Sequence, residues 1–426
     1  MSRLVQVFEH SALTVDGHRF TLRHFDQLVR YNERNGNRFF AVGHNRIHFR
    51  QFVGVIQVGD LTIEILPKAD NVPASQADKK KWQGALIEML KRSGFLQVES
   101  LSTARLRLRS ESLLDLYVEA FLEEVRALAH CGLVRKYRRT DGNLPVLKGR
   151  LLFREHIARN LVHRERFYTA HEFYDRNNAF NQILRLALAV VARISSNPHL
   201  QASARSLDLH FEDVERISVS QQLFERLRFN RNTERYRPAI QLARLILLNF
   251  SPDVRGGRED VMAILFDMNR LFERFVYVEL KRAVSRQPSG AMTCRGQSSR
   301  RFWTSGYMRK DLRPDIVVEF GRGKDRRRLL VDTKWKMPSD GRPADDDLRQ
   351  MYAYNLRFGA CRSMLLYPRV VDTPDMHGVF EPAETPHQTH PHTCGMMYLE
   401  LFWQDSLKRC LGEEIAAALS LLGSCD

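Results

Sequence analysis

Residues 313–336 read RPDIVVEFGRGKDRRRLLVDTKWK and contain two apolar runs separated by a basic turn with two glycines. Each run is short and rich in aliphatic residues, which predicts two antiparallel strands joined as a hairpin. A hairpin brings the start of its first strand beside the end of its second. Asp315 should therefore lie beside Asp332 and Lys334, and the last two share one strand face because they are two residues apart.

This arrangement suits metal-assisted hydrolysis of a phosphodiester. Mg²⁺ prefers a few carboxylate oxygens and keeps positions for water and phosphate. Asp315 and Asp332 are the candidate ligands, with the carbonyl of Thr333 as a further one, and Lys334 is placed to position the attacking water and offset negative charge. The alternative stays open at this point, because a turn aspartate and a strand-end ion pair give the same pattern.

Two flanking helices add polar residues to this set. The pattern of residues 269–283 predicts a helix, and Glu273 lies among its apolar positions, where it is either aimed at the site or is a surface residue paired with Arg270 or Lys281. Gln350 and Tyr354 fall four apart in a helix predicted at residues 346–357, so they share a face. They would support the site by holding the substrate backbone or orienting Lys334, or they are a half-buried helix flank.

Taken together, Glu273, Asp315, the DTK triplet and the QxxxY element resemble the PD-(D/E)xK nuclease superfamily and its RecB-like branch. Longer phrases resemble the McrC family, the endonuclease subunits of McrBC modification-dependent restriction systems. These phrases are VGVIQVGDLTIEILPKAD (53–70), LKGRLLFREHIARN (147–160), EFYDRNNAFNQILRLAL (172–188), DMNRLFERFVYVEL (267–280) and LVDTKWK (330–336).

The resemblance implies a DNA endonuclease subunit of a type IV system that acts on modified-cytosine DNA. It implies catalytic residues Glu273, Asp315, Asp332 and Lys334, and Mg²⁺ or Mn²⁺ held by the three acids. It also implies double-stranded DNA as substrate and a McrB-like AAA+ GTPase hexamer as partner, stimulated through the N-terminal part. The sequence has no GxxxxGK[ST] motif, so we expect this chain to bind no nucleotide itself.

The charge agrees with a polyanionic partner. The chain of 426 residues has a net charge of +16 and a pI near 9.8. Residues 133–169 carry +7, residues 251–334 carry +8, and residues 335–426 carry −5. Candidate DNA-binding residues are Arg135, Lys136, Arg138, Arg139 and Arg313, although residues 135–139 equally fit a solvated face.

Composition excludes other classes of protein. Six scattered cysteines without CxxC fit neither a disulfide framework nor a zinc ribbon. The start of the chain lacks the apolar run of a signal peptide, and no run is long enough to span a membrane. A prokaryotic cytoplasm is the expected location, and no membrane contact is expected.

We expect a multidomain α+β or α/β chain. Residues 1–75 form a β-rich N-terminal domain that contacts the motor, with a hairpin at 53–66 buried on one face. Residues 76–250 form a mainly helical middle region, and residues 251–426 form a restriction-endonuclease-like α/β domain with a mixed sheet whose first strand is 261–266. A single strand is also expected at residues 302–308. Residues 67–81 and 251–260 are the expected boundaries.

Three further features leave alternatives. The loop 371–395 contains His377, His387, His390, His392 and Cys394 without the spacing of a zinc motif, so an irregular surface loop is favoured over a metal site. Trp335 adjoins the site and is a candidate for base stacking, against a packing role. Two alternative functions stay open. The chain could be a catalytically silent, DNA-binding activator of an AAA+ motor, or a RecB-like nuclease of another defence complex.

Overall fold

The computed structural model describes residues 3–68, 76–95, 112–218, 220–251, 260–287, 292–321, 326–336, 338, 341–369, 373–381 and 391–424. These residues form a mixed α/β structure with several sheets and eleven α-helices. Most of the expected boundary at 251–260, part of that at 67–81, the turn at 322–325, and His387 and His390 lie outside the described residues.

The N-terminal sheet has five strands, which run across the sheet in the order Arg3–Phe8, Leu61–Leu66, Phe52–Val58, Val261–Asp267 and Phe250–Ser251. The first two are parallel and the other neighbours are antiparallel. The predicted hairpin is confirmed, with Gly59 and Asp60 between its strands. Its second strand is buried on both faces rather than one, and the buried carboxylate of Glu64 in this strand accepts hydrogen bonds from Gln6 and Gln83.

The placement of Val261–Asp267 corrects the expectation that this strand begins the C-terminal mixed sheet. All seven of its residues pair with Phe52–Val58. Gly54 permits this close approach, because its φ is +136° and a Cβ there would collide with the carbonyl oxygen of Ile264. The two strands are far apart in sequence, so their pairing depends on the tertiary fold.

Smaller elements complete the N-terminal part. The helix Leu22–Arg34 begins at the N-cap Thr21, which forms a capping box with His24. A three-stranded antiparallel sheet contains Ala12–Thr14, Arg46–Phe49 and Phe40–Gly43.

The middle region is rich in helices, as predicted, but it also contains a sheet. The helices are Gln76–Arg92, Leu113–His130, Phe153–Asn160, Ala179–Ile194, Pro198–Asp208, Gln221–Arg226 and Arg237–Leu248, with 3-10 turns at Leu209–Phe211 and Glu234–Tyr236. The sheet has the order Lys136–Leu144, Phe167–Asp175 and Arg150–Leu151. Lys136, Arg138 and Arg139 therefore lie in a largely exposed strand of this sheet.

The C-terminal sheet is mixed, as predicted, and has six strands. Their order is Met292–Gly296, Ile316–Phe320, Arg327–Thr333, Arg362–Pro368, Thr393–Leu399 and Met376–Val379. The third, fourth and fifth are parallel, and the other neighbouring pairs are antiparallel. Part of the His-rich loop is thus an edge strand rather than irregular.

Helices cover both faces of this sheet. Ile316 and Val331 share a core with Phe272 of the helix Met268–Arg286, and alternate residues such as Leu330 pack with Met351 of the helix Asp345–Phe358. Asp267 caps the first helix by accepting from the main-chain N–H groups of residues 269 and 270. Three aspartates in the first turn of the second helix stabilise it, because negative charge at a helix N-terminus interacts favourably with the helix dipole.

Residues 300–312 differ from the single strand predicted at 302–308. Arg300–Ser305 and Met308–Leu312 form a two-stranded antiparallel hairpin. The turn between them is Gly306-Tyr307, and Gly306 has a φ of +54°. The closing helix is Leu411–Ser424, preceded by a short pairing of Phe402–Trp403 with Ser406–Leu407.

One hydrophobic core extends through the three predicted regions, from Phe8 to Leu419. The predicted domain limits therefore stay predictions. Within the described part of the chain, no helix combines the length and apolarity needed to cross a bilayer.

Candidate functional site

Strand register brings the two aspartates together. Ile316 pairs with Val331 in antiparallel register, so the adjoining residues, Asp315 and Asp332, face each other across the two strands. The side-by-side strand ends predicted from the sequence are thus confirmed.

Asp315 is held by the neighbouring strand. Its Oδ2 accepts hydrogen bonds from the main-chain N–H of Thr333 at 2.7 Å and from Oγ1 of Thr333 at 2.8 Å. Burial raises the pKa of Asp315 to about 6, and the negative charge of Glu273 adds to the rise. The hydrogen bonds from Thr333 thus fix the orientation of the Asp315 carboxyl group. Its raised pKa shows that the surrounding positive charge does not offset the burial and the nearby negative charge.

Asp332 is 3% exposed, and its Oδ2 lies 2.8 Å from Nζ of Lys334. Burial raises the pKa of Asp332 to about 6, the charge of Asp315 raises it further, and Lys334 opposes the rise. The half-buried Asp315 and the buried Asp332 therefore repel each other beside the ammonium of Lys334, so a further cation would be stabilised here.

The ammonium group of Lys334 contacts three acceptors. Nζ lies 2.8 Å from Asp332 Oδ2 and 2.9 Å from Asp347 Oδ1, and it donates to Gln350 Oε1 at 3.1 Å. Burial alone would lower the pKa of Lys334, but the charges of Asp332 and Asp347 outweigh burial and raise it. Lys334 consequently stays protonated at neutral pH.

Asp347 is a site residue that the sequence analysis missed. It is 7% exposed, and its second oxygen lies 3.0 Å from Nζ of Lys336. Burial acts to raise the pKa of Asp347, but the hydrogen bonds from Lys334 and Lys336 lower it overall. The acidic run at 345–347 was its one signal, and that run equally fits an ordinary helix start.

Gln350 and Tyr354 form a chain of hydrogen bonds from Lys334 to the main-chain carbonyl of Arg313. Gln350 Nε2 donates to Tyr354 Oη at 2.6 Å, and Tyr354 Oη donates to the carbonyl of Arg313 at 3.1 Å. The shared helix face predicted for these two residues is present. Through it, the helix Asp345–Phe358 orients Lys334 and fixes the chain just before Asp315.

Glu273 reaches the site beside Gln297, which the sequence analysis also missed. Gln297 Nε2 donates to Glu273 Oε1 at 2.6 Å, and the main-chain N–H of Gln297 donates to the carbonyl of Asp315 at 2.8 Å. Arg313 donates to Oε1 of Gln297. A Gln with a φ of +52° gives no local sequence signal for this bridging position.

A cleft of about 660 Å³ opens over these residues. Its polar lining residues are Arg270, Glu273, Arg274, Gln297, Arg313 and Asp315, and Phe95 and Tyr277 lie along it. Cations and acids therefore meet in one concave site, which is the form expected for binding a phosphate backbone beside a metal.

The donor set fits a hard divalent cation with few protein ligands. Asp315 and Asp332 are opposed carboxyl groups whose mutual repulsion a cation would relieve. Across the described ranges, no three His, Cys, Asp or Glu side chains are grouped closely enough to hold a metal ion. The fit is therefore to the aspartate pair, and Glu273 acts at least through its charge on Asp315.

Trp335 does not lie where it could stack on bases. It is 6% exposed and packs against Phe272 and Trp82, with ring centroids 5.1 and 6.0 Å away. The base-stacking interpretation is wrong, because two helices of the core pack against the indole and bury it.

The other predicted positions lie elsewhere. Residues 135–139 lie at the middle sheet, where Arg138 pairs with Asp175 and Lys136 lies over the ring of Phe180. His392 contacts the carbonyl of Ala360, and His377 is in the edge strand Met376–Val379. The described part of the His-rich loop holds no metal cluster.

Comparison with known proteins decides the family. The model of the family "McrBC 5-methylcytosine restriction system component" matches residues 47–368. The chain belongs to this family. The McrBC resemblance found in the sequence is thereby confirmed. Among curated proteins, none matches.

Two solved structures share the fold. A chain of the assembly described as Thermococcus gammatolerans McrB AAA+ hexamers with bound McrC is 19% identical with a TM-score of 0.72, and the match covers 98% of this chain and 100% of that one. A chain of the Thermococcus gammatolerans McrBC complex is 22% identical with a TM-score of 0.52, over 67% of this chain and 89% of that one.

Proposed function

We propose that this protein is the DNA endonuclease subunit of a McrBC-like, modified-cytosine-dependent restriction system. It hydrolyses phosphodiester bonds of double-stranded DNA with Mg²⁺ or Mn²⁺. The observation that carries the proposal is the opposed pair Asp315 and Asp332 with the ammonium of Lys334 against one of them. Asp315, the first member of this set, lines a concave cleft that also contains three arginines.

Asp315 and Asp332 would hold the divalent cation, with the carbonyl of Thr333 as a further ligand. When bound, the cation supplies Lewis acidity to the phosphoryl group and acidifies the attacking water. The hydrogen bonds from Thr333 keep Asp315 in one orientation, so this ligand needs no reorganisation on binding.

Lys334 acts through its charge. Because its pKa is raised and all three of its protons face acceptors, it cannot serve as the base that takes a proton from water. It instead stabilises negative charge that develops on the phosphate, and Gln350 and Tyr354 hold it in place.

The arginines of the cleft bind the DNA backbone. Arg270 and Arg274 lie one helical turn apart in the helix of Glu273, and Arg313 lines the same cleft. Phosphate contacts of this kind give strongly salt-dependent binding without sequence selectivity. Recognition of the modified base therefore belongs to the partner.

The partner we propose is a McrB-like AAA+ GTPase hexamer in a prokaryotic cytoplasm. The shared fold with a chain from McrB hexamers with bound McrC supports this. Nucleotide hydrolysis is assigned to the partner, since the sequence lacks a phosphate-binding loop.

A metal titration tests the proposal. Plasmid nicking by the full chain with its GTPase partner is followed while Mg²⁺ is raised from an EDTA-treated start, for the unaltered protein and for Asp315→Asn. We expect saturable nicking that is at least ~100-fold slower in the variant, because a metal ligand is lost. GTPase stimulation without nicking at any metal concentration would instead support the silent activator.

A further inference from the structure

The hairpin Arg300–Leu312, called the arm below, projects from the molecule. Every residue from 301 to 311 is exposed, and Tyr307 at its tip is fully exposed. Phe302 and Trp303 are 60% and 46% exposed, and Met308 is 64% exposed. Four large apolar side chains in one short hairpin are more than a solvated surface element needs.

Cations are interleaved with these side chains. Arg301, Arg309 and Lys310 are exposed, and Trp303 lies opposite Lys310 in the register. The one acid of the arm, Asp311, accepts a hydrogen bond from Ser299 at its base. The surface that the arm presents is therefore apolar and positively charged at once.

The base of the arm is built into the candidate site. Gln297 precedes the first strand and Arg313 follows the second, and both line the cleft beside Asp315. The helix Asp345–Phe358 fixes the same end, since Arg357 Nε donates to the carbonyl of Arg301 at 2.6 Å and Arg300 donates to that of Arg357 at 3.1 Å. These contacts fix the position of the arm relative to the candidate site, and so fix the position of anything bound to the arm relative to the aspartates.

We propose that the arm enters the major groove of the DNA duplex next to the bond that is cut, with Trp303 and Tyr307 against the base edges and Arg309 and Lys310 on the flanking phosphates. This proposal rests on the nuclease function proposed above. A two-stranded ribbon fits the major groove, which is about 12 Å wide. Strands of five and six residues reach roughly 15–20 Å, enough to cross it.

Charge favours DNA over a protein as the occupant. The arm carries the exposed cations Arg301, Arg309 and Lys310, and Arg313, which follows its second strand, lines the cleft together with Arg270. An apolar protein surface would leave Arg309 and Lys310 unpaired on binding, whereas a duplex supplies phosphates on both sides of the groove.

The test measures DNA binding by the full chain, with Ca²⁺ replacing Mg²⁺, to a fluorescein-labelled 30-base-pair duplex across a range of NaCl concentrations. Trp303→Ser with Tyr307→Ser should weaken binding at least about tenfold with an unchanged salt slope. Arg309→Gln with Lys310→Gln should lower the salt slope by about 2. All four positions are exposed, so these variants should fold.

Matched controls carry the same changes away from the arm. Trp403→Ser alters an exposed tryptophan, and Arg226→Gln with Arg231→Gln removes two exposed cations of the middle region. Both should bind like the unaltered chain. Methyl green, a major-groove ligand, should compete with binding, whereas the minor-groove ligand netropsin should not.

Wild-type affinity and salt slope in both arm variants would overturn the proposal, as would an unaltered chain that does not bind the duplex. Loss of partner association with DNA binding intact would assign the arm to protein contact instead. Failure of the nuclease function is a separate result, because binding that depends on the arm without cleavage in Mg²⁺ rejects only the catalytic assignment.

Discussion

The indole N–H of Trp335 donates a hydrogen bond of 2.7 Å to Oε1 of Glu9, 326 residues earlier in the chain. The same oxygen accepts from the main-chain N–H of Lys68 at 2.9 Å. Trp335 directly follows Lys334, and Glu9 directly follows the first strand of the N-terminal sheet. The segment that carries the candidate catalytic lysine is thus tied to the far end of the sequence by one buried carboxyl group.

This carboxyl group predicts a pH-dependent stability. Burial raises the pKa of Glu9 from 4.5 to about 7, and within the described residues its Oε2 has no hydrogen-bond partner. The folded state therefore holds a proton that the unfolded state releases between about pH 4.5 and 7, and the stability from Glu9 is lost as the pH rises through that window.

The test is Glu9→Gln, which retains the acceptor for Trp335 and cannot ionise. Its free energy of unfolding relative to the unaltered chain should rise by about 3 kcal/mol from pH 4.5 to 8. Urea unfolding at several pH values measures this. The exposed Glu33→Gln is the control for removal of a surface carboxylate, and a difference for Glu9→Gln that does not change with pH would refute the prediction.

Metal affinity should also depend on pH. Since the pKa values of Asp315 and Asp332 are raised to about 6, protons compete with a cation for both carboxyl groups below that pH. Binding of Mn²⁺, followed by electron paramagnetic resonance, should be constant above about pH 7 and fall by up to roughly 100-fold per unit below 6.

The matched variant Asp332→Asn removes one of the two competing groups. It should bind Mn²⁺ more weakly and with a shallower pH dependence. Equal affinity at pH 5 and 8 in the unaltered chain would be inconsistent with a metal held by this pair.

Asp347 should matter for rate rather than for DNA binding. Asp347→Asn removes one of the two carboxylates that position Lys334, so we expect cleavage to slow about 10- to 100-fold with unchanged DNA affinity. The exposed Asp345→Asn in the same helical turn is the control. Cleavage at the unaltered rate, in a variant shown by thermal unfolding to be folded, would remove Asp347 from the site.

Arg270 and Arg274 should matter for DNA binding rather than for the cleavage rate. The double change to Gln removes two cations from the cleft, so KM should rise with kcat little changed, and the salt slope of DNA binding should fall by about 2. Steady-state cleavage at several salt concentrations measures both quantities. A fall in kcat alone would place these arginines in the chemical step.

Local patterns predicted the elements that build the site. Helical periodicity located the helices of Glu273 and Gln350, and two apolar runs around a basic turn located the strands of Asp315 and Asp332. These features were readable because amphipathic helices and buried strands are specified by residues close together in sequence.

Pairing between strands that are far apart in the chain could not be predicted from the sequence. Val261–Asp267 is as apolar as a strand of either sheet, and only its contact with Phe52–Val58 decides its place. Gln297 and Asp347 likewise reach the site through the tertiary fold. The arm was missed as a hairpin because its apolar residues Phe302, Trp303 and Met308 do not alternate with polar ones, so no period-two pattern marks the Gly306-Tyr307 turn.

The central claim is that Asp332 and Lys334 cut DNA and do nothing for the motor. Its most direct test assays cleavage and GTP hydrolysis in one reaction that contains modified DNA, the GTPase partner, Mg²⁺ and either Asp332→Ala or Lys334→Ala. We predict that both variants lose DNA cleavage and stimulate GTP hydrolysis as the unaltered chain does. Undiminished cleavage by both variants would contradict the account.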